Sequence, residues 1–256
     1  MVFTRNRWPV IVPLIVVVGN VVTADALLWP HSASADLNIG ILLQQVQARE
    51  AEARNRAALI PDHTAVERAA PVDAQEQFRL AASYDAGQGI PRDYRLAAKW
   101  YRAAAEQGHI RAQTSLGLMY AQGHGVPPDD RQAAHWLRRA AEAGEPLAQY
   151  NLGLMYYEGR GVPREYSSAL HWYRRSAMGG NAKAMNNLGI MAALGHGVEE
   201  DDAQAYAWFS AGAAFNNADA INNKELTAQN LSPEKLSRGE AAFNDLKAEF
   251  SLPWPK

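Results

Sequence analysis

The chain has 256 residues, a formal net charge of −2 and no cysteines. Its length suits one large domain or an array of repeats. The near-neutral charge gives no excess of basic residues of the kind that nucleic-acid binding requires. The absence of cysteine excludes a disulfide framework, a cysteine-based zinc site and a cysteine nucleophile.

Residues 1–35 have the pattern of an export signal or an N-terminal membrane anchor. Two arginines, Arg5 and Arg7, precede an apolar stretch over residues 8–22, and two Ala-x-Ala sites follow that stretch. A positively charged start, an apolar middle and a small-residue site are together typical of a cleaved secretory signal.

A retained anchor is the main alternative to a cleaved signal. Residues 10–28 are almost long enough to cross a bilayer, which needs roughly 20 residues, and Trp8 and Trp29 would lie at its two interfaces. Asn20 and Asp25 count against this anchor because polar groups are costly in lipid. Both readings stay open, beside a third in which the stretch is a buried helix of a cytosolic protein.

Signal and anchor predict the same side of the membrane for the rest of the chain, because the arginines stay inside. We therefore expect an exported protein, located in the periplasm or anchored in the inner membrane with its remaining residues in the periplasm. Residues 36–72 are predicted to form a helical spacer and a linker. The spacer is rich in helix-favouring residues over 36–58, and Pro61 and Pro71 mark the linker.

A period of 36 residues governs the chain from about Asp73 onward. A fixed period of this length is the signature of a repeat architecture. Each unit is predicted to contain a first helix (helix A), a glycine turn, a second helix (helix B) and a second turn. Five columns recur four times: Leu80, Leu116, Leu152 and Leu188; Gly87, Gly123, Gly159 and Gly195; Gly89, Gly125, Gly161 and Gly197; Ala97, Ala133, Ala169 and Ala205; Trp100, Trp136, Trp172 and Trp208.

The segment Gly159–Pro163 illustrates the first turn. Glycine just past a helix end adopts the left-handed conformation at little cost, and the proline is predicted to begin the next helix. Gly180 is predicted to form the second turn. A column of small residues beside the leucines, such as Gly153, lets another helix approach closely, and the tryptophans of helix B are predicted to form a repeated core.

The pattern decays after the fourth unit. Residues 218–230 resemble a fifth helix A, and a last helix is predicted with Ser232 as its N-cap and Pro233 at its first position. The apolar side chains of this helix are expected to cover the exposed end of the stack, as terminal units of solenoids do. They are Leu236, Phe243, Leu246 and Phe250.

These columns resemble the Sel-one-like repeat, a relative of the tetratricopeptide repeat. Unit one departs from the pattern, with Glu76 in place of an alanine and Ala81 in place of a glycine. Units two and three match almost fully, and the matching residues of unit two are Ala112, Leu116, Gly117, Tyr120, Gly123, Gly125, Val126, Ala133, Trp136, Ala140, Ala141 and Gly144.

The resemblance implies an all-α protein, a right-handed α/α solenoid of about four helix-turn-helix repeats with a capping helix. The repeat region covers residues 73–230, and residues 231–256 would form the capping helix and tail. The units would span 73–108, 109–144, 145–180 and 181–216, with a partial unit over 217–230. Proteins of this family are mostly adaptors that bind other proteins or peptides on a curved surface.

No catalytic motif is found along the chain, and we predict neither catalytic residues, nor a cofactor, nor a metal. The Gly-x-Gly strings lack the third glycine and the preceding strand of a dinucleotide loop. His124 and His196 share one column, and His135 and His171 share another, but neighbouring repeats hold same-column residues too far apart for one tetrahedral metal. We therefore interpret these histidines as surface residues.

The resemblance places helix A on the concave side of the superhelix, where a partner would bind. An extended peptide could lie there, with asparagine bonding its backbone and a cation meeting a carboxylate. Alternatively, the aliphatic members of this set only pack helix A against its neighbour, and a nearby column of Asn151, Asn187 and Asn223 bonds loop backbone. The predicted partner-binding residues are Phe78, Arg111, Thr114, Leu118, Tyr150, Leu154, Tyr157, Lys183, Asn186 and Ile190.

Three functions follow as hypotheses. The first is a non-catalytic scaffold in the cell envelope that binds a protein or peptide partner, with no nucleic acid and with membrane contact only through an uncleaved N-terminus. The second is a cell-wall-acting hydrolase of the secreted repeat type. The third is a membrane-tethered structural spacer whose helix over residues 36–58 self-associates.

Overall fold

The computed structural model describes residues 73–250 and 252–254, together with position 48. The chain forms two compact units, Met1–Leu59 and Ile60–Lys256. Ala48, the one described residue of the first unit, is helical. The predicted signal or anchor and the linker lie outside the described residues.

The described part of the chain contains ten α-helices and no strand. None of these helices is both long and apolar enough to cross a membrane. In chain order they are α1 (Ala74–Ala86), α2 (Tyr94–Glu106), α3 (Ile110–Gln122), α4 (Asp130–Glu142), α5 (Pro146–Glu158), α6 (Tyr166–Met178), α7 (Ala182–Leu194), α8 (Asp202–Ala214), α9 (Ala218–Asn230) and α10 (Pro233–Glu249).

The helices stack in chain order. Four pairs pack together, α1 with α2, α3 with α4, α5 with α6 and α7 with α8, and the second helix of each pair also packs on the first helix of the next. The buried clusters cross the unit boundaries: Ala81 of α1, Trp100 of α2 and Leu116 of α3 belong to one of them. Each fully buried leucine such as Leu116 contributes about 1.5–3 kcal/mol of burial free energy. The helical solenoid is therefore confirmed, and each unit depends on the next to cover its apolar face.

The first glycine of the turn ends helix A as predicted. Gly159 caps α5 with φ 76°, in the left-handed region. The second glycine has a different reason: a Cβ at Gly125 would lie 2.0 Å from the Tyr94 carbonyl oxygen of the preceding unit. Asn216 takes the second-turn position in unit four with φ 58°, which asparagine tolerates better than most residues.

The prediction that proline begins helix B is wrong. Pro163 lies in the turn, and α6 begins only at Tyr166, after Glu165 in the N-cap position. In the other units an aspartate occupies this position, and Asp129 accepts hydrogen bonds from the backbone N–H groups of Arg131 and Gln132. In these units the aspartate cap therefore starts helix B, because it satisfies N–H groups that the helix itself leaves unpaired. Glu165 makes no such side-chain bond to the backbone of α6.

The small-residue column allows the close helix approach that the sequence predicts. A Cβ at Gly153 would lie 2.8 Å from Cδ1 of Tyr173. The same relation joins Gly117 to Leu137 and Gly189 to Phe209, at 2.7 and 2.5 Å. One large side chain of helix B thus passes over each of these glycines.

A tyrosine–arginine contact joins neighbouring units. Arg138 of α4 donates to the Tyr156 hydroxyl of α5 at 2.8 Å, and Arg102 makes the same bond to Tyr120 one unit earlier. In the fourth unit Ala192 replaces the tyrosine, so the next arginine of this column has no such partner on helix A.

Helix α10 compensates for this loss. Arg174, the arginine without a tyrosine, pairs with Glu249 of α10 at 2.6 Å. Leu246 and Phe250 are buried, with the Phe250 ring 5.8 Å from that of Trp208. Ser232 caps the helix and Pro233 is its first residue, as predicted.

The expected cover of the end of the stack differs from the structure. Helix α10 packs along α8 rather than on α9. As a result, Ile221 and Leu226 of α9 remain 39% and 50% exposed. Leu246 and Phe250 of α10 belong instead to the buried cluster that contains Trp208 of α8.

We predict that Gly153→Ala lowers the free energy of unfolding by about 1–2 kcal/mol. Forcing a methyl group against the Tyr173 ring costs about 1–3 kcal/mol, while alanine gains about 1 kcal/mol over glycine in a helix. Urea unfolding followed by circular dichroism measures the difference. In a Tyr173→Ala background the same change should become neutral or stabilising, and an unchanged penalty there would contradict the contact.

Candidate protein-binding face

We define the helix-A face as the surface formed by α1, α3, α5, α7 and α9. Its predicted binding residues fall into three groups by exposure. Arg111 and Lys183 are exposed, and Thr114 and Asn186 are buried. The half-buried group consists of Phe78, Leu118, Tyr150, Leu154, Tyr157 and Ile190.

The two buried residues have internal partners. Thr114 is 4% exposed and its hydroxyl donates to the Ile110 carbonyl at 3.2 Å. Asn186 is 7% exposed and accepts from the Asn223 amide at 2.9 Å. Both side chains are therefore poorly placed for a first contact with a partner, because the rotation of their helices turns them inward.

An aliphatic stripe follows the helix-A face. Leu118, Leu154 and Ile190 are half-buried members of one column. The stripe continues to Leu226, which is 50% exposed. Leu226 was missed in the sequence because its unit is incomplete, although it continues the 36-residue spacing.

The asparagine column does not bond loop backbone. Asn151 donates to the Leu147 carbonyl within its own helix at 2.7 Å, and Asn223 donates to Asn186. Asn187 lies between α5 and α7 instead, near the hydroxyls of Tyr150 and Tyr173.

A small cavity lies between α5 and α7 on the helix-A face. Its volume is about 180 Å³. Three predicted residues line it, and Tyr173 reaches it from α6, below the two helices. The lining residues are Leu154, Tyr157, Glu158, Tyr173, Asn187 and Ile190.

The tyrosine hydroxyls around this cavity stay protonated well above neutral pH. Burial raises the pKa of Tyr173, and the nearby Glu158 carboxylate raises it further. Burial also raises the pKa of Tyr150 and of Tyr157. These groups therefore act as neutral hydrogen-bonding groups rather than as bases or nucleophiles.

The middle residue of the Gly-x-Gly turn contacts the preceding unit. His196 stacks on Tyr166 with ring centroids 4.5 Å apart, and its Nδ1 lies 3.0 Å from the Tyr157 hydroxyl. Arg160 instead forms an ion pair with Asp130 at 2.7 Å.

His124 stacks on Tyr94, with centroids 5.0 Å apart. The surface interpretation of His124 and His196 therefore missed a structural contact. The sequence carries a signal for this contact. Where the middle residue of the turn is His124 or His196, the contacted position of the preceding unit is Tyr94 or Tyr166. Where the middle residue is Arg160, the contacted position is Asp130.

His135 and His171 are exposed, and each contacts the following tryptophan edge-on. In the part of the chain that the structure describes, no three His, Cys, Asp or Glu side chains converge as metal ligands.

A larger cleft lies elsewhere in the described part of the chain, between α10 and helices α6, α7 and α8, with a volume of about 1080 Å³. Trp208 and Leu188 form part of its apolar floor. The cleft lies beside Ala192, at the last interface of the stack, where the other units have a tyrosine. Three ion pairs cross its rim: Arg174–Glu249, Lys235–Asp202 and Arg238–Asp201.

The family model of the Sel1 repeat matches residues 77–109, 110–145, 146–181 and 182–214 of this chain. The chain belongs to the Sel1 repeat family. Proteins of this family generally mediate protein–protein interaction, and the fold is typically a non-catalytic interaction scaffold.

Solved Sel1-type structures resemble this chain. A protective antigen of uropathogenic Escherichia coli strains, described as displaying an SLR fold, is 32% identical with a TM-score of 0.64. That match covers 70% of this chain and 38% of the antigen, so this chain spans well under half of its relative. A Sel1 repeat protein from Oxalobacter formigenes is 31% identical, with a TM-score of 0.56 and 70% of both chains covered. No curated protein matches the chain.

The first Sel1 unit of this chain ends at a histidine that joins two elements. His109 caps α3, and its Nδ1 accepts from the Ala112 N–H at 3.1 Å. Its ring stacks on Phe78 with centroids 4.4 Å apart, and its Nε2 lies 3.1 Å from Gln75 Oε1. Burial lowers the pKa of His109, and the positive charge of Arg111 lowers it further.

We predict that this histidine makes the free energy of unfolding decrease at acidic pH. Its pKa in the folded state lies below the unfolded value of 6.5, so the unfolded chain binds more protons between the two values. The contribution is complete above pH 6.5 and is lost as the pH falls through the folded-state pKa. His109→Asn keeps a capping residue without a titrating ring. Urea unfolding between neutral pH and pH 5 should show a weaker pH dependence for His109→Asn, and parallel curves would contradict this assignment.

Proposed function

We propose that this chain is a non-catalytic scaffold that binds a protein partner on its helix-A face. The observation that carries the proposal is the aliphatic stripe from Leu118 through Leu154 and Ile190 to Leu226, with a cavity opening beside it. Partner sites commonly combine apolar anchors in a pocket with a polar rim. Here Arg111 and Lys183 supply exposed cations on the same helices.

The location we propose is the cell envelope. The support is the pattern of residues 1–35, with Arg5 and Arg7 before an apolar stretch. An export signal or an anchor with this charge order delivers the following residues across the membrane. The repeat units would then meet their partner in the periplasm.

The decisive experiment is crosslinking capture from native envelopes, read by mass spectrometry. Leu154→Ser with Ile190→Ser removes two apolar side chains from the stripe without touching a hydrogen bond of the helices. We expect the yield of the specific partner to fall about ten-fold or more, because truncating central apolar anchors commonly costs 2 kcal/mol or more of binding free energy.

Met178→Ser is the matched control, because Met178 is 52% exposed on α6, outside the helix-A face. Circular dichroism should show that all variants keep their helices. If the double variant captures the same proteins at the same yield as the wild type, the helix-A face is not the binding surface. Asn186 is unsuitable for this test, since its buried bond to Asn223 makes its loss a change in stability.

A further inference from the structure

The cleft beside α10 lies where the regular units have a tyrosine. At the preceding interface the Tyr156 hydroxyl accepts a hydrogen bond from Arg138, and the Arg138 guanidinium lies 5.9 Å from the centre of the ring. The same ring packs against two consecutive buried clusters. At the last interface Ala192 and Arg174 occupy these two columns, and both line the cleft. The last interface therefore keeps the arginine and lacks the ring.

The cleft is also larger than its counterpart in a regular interface. Between units one and two, a cleft of about 490 Å³ is lined by Arg102, Tyr120 and Trp136. The cleft at the last interface has about 1080 Å³, although α10 forms one of its walls. Helix α10 thus covers this interface without closing it.

A valine at this cleft has lost the cover that it has in other units. Val126 and Val162 follow the Gly-x-Gly turn, are half-buried and pack against buried clusters. Val198 holds the same column in unit four, where it is 44% exposed and lines the cleft. The last interface therefore leaves apolar surface open that a regular interface covers, next to the position of the absent ring.

The cleft has an excess of carboxylates. Three of the carboxylates that line it form the ion pairs at its rim. Three others, Glu199, Glu200 and Asp245, are exposed and form no ion pair in the described part of the chain. Outside those ion pairs, His171 is the one further basic residue of the lining. Glu199 also departs from the repeat, since Pro163 holds its column in unit three. The field of the cleft therefore favours a positively charged ligand.

We propose that this cleft binds a tyrosine side chain that stands next to a lysine or arginine in an extended segment of a partner protein. The ring takes the space beside Ala192 and covers Val198. Its hydroxyl accepts a hydrogen bond from Arg174, as in the regular interface. The neighbouring cation meets the carboxylates of Glu199 and Glu200. The scaffold would thus have a second contact site, separate from the cavity between α5 and α7.

Arg174 can take this role while its ion pair is kept. Its Nη2 donates to Oε1 of Glu249 at 2.6 Å, and a guanidinium group carries five N–H donors. The two side chains are 53% and 47% exposed, so a ligand can reach the remaining donors. Because a single exposed ion pair is weak, a rearrangement of this pair on binding would also cost little.

The test uses N-acetyl-tyrosyl-lysine N-methylamide as the probe. It is titrated into the full chain and followed by ¹H–¹⁵N NMR. We expect a Kd on the order of 1 mM and saturable shifts at the amides of Leu170, Val198 and Asp245, which line the cleft.

Three related probes separate the contributions to binding. The alanyl-lysine analogue lacks the ring and should bind about ten-fold or more weakly than the probe. The phenylalanyl-lysine analogue lacks only the hydroxyl and should bind about three- to ten-fold more weakly. The tyrosyl-glutamate analogue reverses the charge and should give no saturable shifts, because the carboxylates of the cleft repel it.

Glu199→Gln with Glu200→Gln is the decisive variant, because it removes two charges without changing the size of the side chains. It should weaken binding of the probe about two- to five-fold, and the difference should shrink at high salt. Glu234→Gln with Glu240→Gln is the matched control. Both carboxylates are exposed on α10 outside the cleft, so the same change in net charge should leave the Kd unchanged.

Ala192→Tyr tests the position of the ring. It introduces the residue that unit three has at this column, so its own side chain should occupy the space and remove probe binding. Circular dichroism and Tm compare the folding of this variant with that of the wild type. The glutamine variant decides the proposal independently of how Ala192→Tyr folds.

Four results would overturn the proposal. They are no saturable shifts at the cleft, equal binding of the tyrosyl and alanyl probes, no response to Glu199→Gln with Glu200→Gln, or undiminished binding by a folded Ala192→Tyr variant. Failure of the helix-A face would appear separately, as envelope capture that does not respond to Leu154→Ser with Ile190→Ser.

Discussion

The contact between a large helix-B side chain and a glycine of helix A is the constraint on which the solenoid depends. Tyr173 over Gly153 and Phe209 over Gly189 leave no room for a methyl group between the two helices. Because this approach is so close, the pair forms a thin layer, and the tryptophans and leucines must find their remaining contacts in the next layer. The glycine column therefore explains both the packing within a unit and the need for a following unit.

The last interface shows what happens when one column changes. Tyr156 accepts from Arg138 in a regular interface, whereas Ala192 leaves Arg174 to pair with Glu249 of the C-terminal helix. A surface ion pair of this kind contributes only about 0–1 kcal/mol. The buried Leu246 and Phe250 therefore hold α10 in place, and the ion pairs at the rim set its orientation. The solenoid is closed along its side, at α8, and α9 keeps an open apolar surface.

The repeat period was sufficient to predict the fold, because each column that recurs along the chain predicts the same local geometry in all four units. Individual side chains were harder to predict. Thr114 and Asn186 were expected on the binding face, but a small rotation of each helix buries them. Pro163 was placed in the helix, but α6 begins only at Tyr166, after Glu165 in the N-cap position. Tyr173 was missed because its column reads as core, and only the structure shows that it lines the cavity between α5 and α7.

Comparison between units separates what the fold requires from what it does not. Leu137 and Phe209 fill the same space as Tyr173 without a hydroxyl, so packing alone does not require tyrosine there. Tyr101 shows how the fold can satisfy such a hydroxyl, through Asp85. Unit three has the hydroxyl and lacks that acceptor. An unsatisfied buried group costs about 1–3 kcal/mol, a cost that Leu137 and Phe209 show to be avoidable.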